Sequence, residues 1–144
     1  AGFVARLSGS TAEFIHMWLL MNMGVEPFFL GESGKLCLRF RPVLSSELFA
    51  KKRQRRSFGN LSGESIEANF GVNTYSFLFL NSTLVTYINP KRKDTFGPAG
   101  VRPQHLSLFD RNGLMAEMNG AGIKAPFAER IRDGKVDRIE VVLG

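Results

Sequence analysis

Ser8-Gly9-Ser10-Thr11 is the stretch of this sequence whose residue types and spacing could do chemistry. Three hydroxyls and a glycine stand at the start of an apolar helical run. Unpaired backbone N–H groups and the positive end of the helix dipole attract anions there. Ser8, Gly9 and Ser10 are therefore candidate ligands for phosphate or another oxyanion. The same residues also make a good helix cap, because Ser10 and Glu13 have the spacing at which each side chain bonds the other's backbone N–H. Both readings stand. Other groupings are poorer. Glu13 and His16 share a helix face, but a di-iron centre needs two such pairs and carboxylates from further helices. Two histidines and one cysteine are too few for a zinc site. Cys37 falls inside an alternating strand, which predicts a buried thiol rather than a nucleophile. Glu47, Glu64, Glu67 and Asp94 have no spacing that pairs them as acid and base. No catalytic residue, metal site or cofactor site is read.

The element that would position the anion site is the helix itself, about 13 residues and roughly 20 Å long. Phe14, Ile15, Met17, Trp18, Leu19, Leu20, Met21 and Met23 leave it almost no polar face, so burial on most sides is expected. Gly24 is placed to end it, since glycine takes a positive φ without steric cost. Pro27 forbids continuation. From Lys35 the period changes: Leu36, Leu38 and Phe40 alternate with polar or charged neighbours up to Pro42, as in a half-buried strand. Thr74–Leu80 and Thr83–Ile88, joined at Asn81-Ser82, read as a hairpin. His105–Phe109 and Leu114–Met118, joined by Asp110-Arg111-Asn112-Gly113, read as a second. Val136–Leu143 is a further strand, and the stretch from Ala125 to Arg132 is ambiguous. The run Lys51-Lys52-Arg53-Gln54-Arg55-Arg56 lacks helical amphipathicity and interleaved aromatics, which describes a solvated loop. The expected fold is mainly β: an antiparallel β-sandwich preceded by one buried amino-terminal α-helix.

Nineteen basic against thirteen acidic residues give a net charge of +6, which favours anionic partners without selecting one. A single cysteine excludes an internal disulfide and fits a reducing compartment, so a cytoplasmic location is expected. No apolar run reaches membrane length. Ala1–Leu7 is apolar and runs straight into the helix, as the middle of a larger unit would.

Ser8-Gly9-Ser10 opening an apolar, Trp-bearing helix, then Gly24, Pro27, an alternating strand and Arg41-Pro42-Val43-Leu44, resembles the carboxy-terminal part of inverting glycoside phosphorylases of the cellobiose and chitobiose phosphorylase family. The segment from Thr83 to Gly97 resembles sandwich strands of the same group. The resemblance implies that residues 1–30 are the last helix of a helical barrel and residues 31–144 a closing β-sandwich domain. It implies that Ser8 and Gly9 match a Thr-Gly pair that helps hold inorganic phosphate, with Ser in place of Thr. The catalytic acid and the remaining phosphate ligands would come from elsewhere, so the chain alone would hold no complete active site.

Three functional expectations follow. The first is a carboxy-terminal fragment or accessory domain of a carbohydrate-active enzyme of the glycoside phosphorylase or hydrolase type. It would supply part of a phosphate site and structural support. The second is a stand-alone sandwich that binds carbohydrate or another ligand on Tyr75, Tyr87 and Trp18. The third, least favoured, is a nucleic-acid binder using Lys51–Arg56 and Lys91–Lys93. The apolar helix also predicts self-association or a helical-barrel partner, because leaving several large side chains wet costs several kcal/mol at about 25 cal/mol per Å².

Overall fold

The computed structural model describes residues 17–59 and 65–144, with the backbone alone for residues 54, 56, 58, 59 and 65–70. Helical residues 17–23 (α1) lead into β1 (Phe28–Leu30) and β2 (Leu36–Arg39). A short 3₁₀ turn at Ser46–Leu48 precedes β3 (Gln54–Gly59) and β4 (Ser65–Phe70). Then come β5 (Thr74–Phe79), β6 (Thr83–Ile88), β7 (Pro103–Asp110), β8 (Gly113–Asn119) and β9 (Gly122–Ile123). Helix α2 (Phe127–Arg132) and strand β10 (Arg138–Leu143) complete the described elements.

Three sheets result: five strands in the order β5-β6-β10-β7-β8, three in the order β1-β2-β9, and the β3-β4 ribbon. The fold is mainly β and sandwich-like with an amino-terminal helix. Alternation explains the layering. Phe77, Phe79, Val85, Tyr87, Leu106, Leu108, Ile139 and Val141 are buried on one face of the large sheet. They meet Leu38, Phe40 and Ile123 from the small sheet and its continuation in one core. Phe28 stacks on Phe79 with ring centroids 5.8 Å apart, and Phe40 meets Tyr87 edge-on. Burying a side chain of this size stabilises by about 1.5–3 kcal/mol. Ala128 and Ile131 bury one side of α2.

Three expectations need correction. The large sheet is mixed rather than antiparallel, because β10 enters between the two hairpins and runs parallel to β6, Ile139 opposite Val85 and Val141 opposite Tyr87. Its continuous apolar face fits a strand flanked on both sides. The basic run is no solvated loop beyond Arg53: Gln54–Gly59 pairs in register with Ser65–Phe70. Within its described residues, α1 is buried only at its end. Asn22, Met23 and Gly24 are buried, residues 18–21 half-buried and Met17 67% exposed. Leu30 of β1 pairs with Leu36 of β2. Met23 lies in the same core as the strands.

Candidate functional site

Ser8, Gly9 and Ser10, with Glu13 and His16, lie outside the described residues. What the structure describes is helical residues 17–23 and how their end is mounted. A helix leaves its last four carbonyls without partners inside the helix unless the chain supplies donors beyond it. Here all four have one. Leu20 O accepts from Gly24 N at 3.0 Å, Met21 O from Val43 N at 2.7 Å and Met23 O from Arg41 N at 2.8 Å. Asn22 O accepts from the buried Tyr87 hydroxyl of β6. Burial pushes the Tyr87 phenol well above its ordinary range, with Tyr75 nearby adding to the effect, so the hydroxyl stays protonated and donating. Asn22 Nδ2 donates to Trp18 O, while Asn22 Oδ1 is buried without a hydrogen-bond partner. Trp18 packs edge-on against Phe77 at 5.5 Å.

Gly24 lets this happen. Its φ is +94°, and a Cβ there would sit 2.7 Å from Arg41 O and 2.8 Å from Arg41 Cβ. Only glycine allows the helix end and the chain leaving β2 to approach this closely. The sequence points to Gly24 as a stop; its second role, as a gap for Arg41, has no sequence signal.

The remaining candidates separate. Asp94 Oδ1 accepts from Ser46 N at 2.7 Å, so it holds the 3₁₀ turn in place. Thr95 beside it is buried, donating to Pro42 O at 2.7 Å and accepting from Leu44 N at 2.8 Å. Arg92 donates to Asn73 Oδ1 and Ala50 O, leaving Lys91 and Lys93 as the exposed bases of that loop. Glu47 is exposed on the 3₁₀ turn. Glu64 lies outside the described residues, and Glu67 pairs by backbone register with Ser57. Cys37 is half-buried and borders an open cleft, contrary to the expected buried thiol. Its position near the end of a short strand leaves one side uncovered. Tyr87 is fully buried, and Tyr75 and Trp18 pack against Phe77. The three rings do not form an exposed carbohydrate platform.

One cluster has no sequence signal. On the outer face of the β7–β8 hairpin, His105 Nδ1 lies 3.1 Å from Asn119 Oδ1 and Nε2 lies 3.5 Å from Glu117 Oε1. Ser107 Oγ donates to the same Glu117 oxygen at 3.5 Å. The Asn119 bond first, then Glu117, raises the His105 pKa. Among the described residues no group of three or more His, Cys, Asp and Glu is arranged to hold a metal ion. No described helix is long and apolar enough to cross a membrane. No protein-family model matches the chain, and no curated protein matches it.

Proposed function

We propose that this chain is the carboxy-terminal, β-sandwich-like part of a cytoplasmic carbohydrate-active enzyme of the glycoside phosphorylase or hydrolase type. In this reading it supplies Ser8, Gly9 and Ser10 to a phosphate site and supports their helix. The observation that carries the reading is the mount at the helix's other end. Four carbonyls in succession are bonded to four donors, two of them from the segment after β2 and one from β6 of the large sheet. A helix start can recognise an anion only if its N–H groups are held in direction, and fixing the opposite end removes the rocking that would blur them. The resemblance at Ser8-Gly9-Ser10 and Arg41-Pro42-Val43-Leu44 supplies the enzyme class. Arg41 and Val43 in that stretch are the residues whose N–H groups hold the helix end.

The test is a titration with inorganic phosphate followed by amide NMR, with chloride matching ionic strength. Shifts at Gly9 to Ala12 saturating near millimolar concentration, about 4 kcal/mol of binding, are expected. Tyr87→Phe, which frees Asn22 O, should weaken the response. Stationary amides at Gly9 to Ala12, with movement only around Lys51–Arg53, would put the anion on the basic run and refute the reading.

A further inference from the structure

The outer face of the three-stranded sheet carries a second feature. Register sets Phe29 opposite Cys37 and Arg39 opposite Gly122, so these four share a face while Leu38 and Ile123 fill the core. The turn from Gly31 to Lys35 and the segment Gly122–Ala125 wall an open cleft of about 750 Å³ beside Phe29 and Cys37. Glycines help make the room: Gly31 has no side chain to press on Cys37 Sγ, which would lie 3.0 Å from a Cβ, and Gly122 leaves the place opposite Arg39 empty of side chain.

The charges around this cleft are one-sided. Lys35 and Lys124 line it and are exposed, against the single acid Glu32. Arg39 lies on the same sheet face but outside the cleft lining, its guanidinium over the Phe29 ring at 4.5 Å. Arg39 Nε is buried without a hydrogen-bond partner. Phe29 gives the cleft an apolar side. A pocket with an apolar wall and a few placed polar groups is the ordinary form of a small-molecule site.

We propose that this cleft binds a small organic oxyanion, a carboxylate or a phosphate ester, with its charge between Lys35 and Lys124 and its apolar part against Phe29. The proposal does not rest on Ser8–Ser10. Cys37 serves as the reporter, because a ligand over Phe29 shields its thiol from alkylation.

The experiment titrates the whole chain with n-butyl phosphate and, in parallel, with pentanoate. Inorganic phosphate is the charge-only control and n-butanol the apolar-only control. The readouts are amide shifts of residues 31–37 and 122–125 and the rate of Cys37 alkylation by iodoacetamide. Either butyl phosphate or pentanoate should move those amides and slow alkylation, and whichever does so names the headgroup. Lys35→Gln and Lys124→Gln should each weaken binding about threefold, as for an exposed charge contact. Gly122→Val should abolish it while leaving the fold intact, since a Cβ there meets only Leu38 O, at 3.7 Å. Binding of neither anion, equal binding of n-butanol, or undiminished binding by Gly122→Val would each overturn the proposal. Shifts at Gly9 to Ala12 report the phosphate site in the same spectra, so the two readings fail independently.

Discussion

Replacing Gly24 with alanine tests the mounting of the helix directly. The residue has φ +94°, a region that costs an L-residue about 1–2 kcal/mol. The added Cβ also meets Arg41 O at 2.7 Å and Arg41 Cβ at 2.8 Å, and the obstacle is backbone, which cannot rotate away. Relieving it means moving the chain after β2, at the expense of the Arg41 N–Met23 O and Val43 N–Met21 O bonds. Each is worth about 1 kcal/mol. Against this stands a gain of about 0.4–1 kcal/mol from a less flexible unfolded chain. The net expectation is a loss of about 3 kcal/mol, or roughly 6–12 °C in Tm for a chain of this size. Gly34 supplies the control, since its φ is +74° but a Cβ there meets nothing within 4 Å. Gly34→Ala should therefore lose only the dihedral contribution, about 1 kcal/mol. Urea unfolding of both variants, with unchanged slope, measures the difference. Equal losses in the two would show that the contact with Arg41 contributes nothing.

Three further outcomes are expected. Thr95→Val removes a buried hydroxyl that both donates to Pro42 O and accepts from Leu44 N, and should cost about 2–4 kcal/mol by urea unfolding. Asn22→Leu exchanges a buried amide with an unpartnered Oδ1 for an apolar group of similar size, and should leave stability within about 1 kcal/mol of the native chain, on the favourable side. NMR titration of His105 should give a pKa above its usual value, lowered again by Asn119→Ala and by Glu117→Gln. Because the folded pKa is the higher, the associated stability is present below the unfolded value and disappears as pH rises through the folded one.

The positions of the hairpins and of the helix stop were legible because each rests on a local rule. Asn81 takes a positive φ in the turn between β5 and β6 and Gly113 does so at the start of β8, while Leu80, read as strand, also takes one with no sign in its residue type. What joins distant elements was not legible. Tyr87 reads as one more residue of a β-branched strand, yet its hydroxyl reaches across to Asn22. Lys51–Arg56 hides a strand because charged residues suit an exposed ribbon as well as a loop, and alternation alone cannot separate them. The His105 cluster escaped for a sharper reason. Counting outward from the turn puts Ser107 opposite Ala116, but the register shifts by one between Leu108 and Phe109. That bulge brings Glu117 opposite Ser107 and Asn119 opposite His105, and no residue type announces it. Ser8, Gly9 and Ser10 rest on the sequence alone.

The placement of β10 bears on how the molecule is made. Strand β10 is the last of the ten described strands in sequence but the middle one of the large sheet, bonded to β6 on one side and β7 on the other. During synthesis β5–β6 and β7–β8 leave the ribosome as two separate hairpins, each too small to be stable alone. Their facing edges stay open until Arg138–Leu143 arrives to join them. For that interval β6 and β7 expose the unpaired groups that promote mispairing between chains. The closing contacts are long-range, so this step should govern the folding rate. A truncation before Arg138 would therefore not trim an edge of the sheet; it would divide it in two.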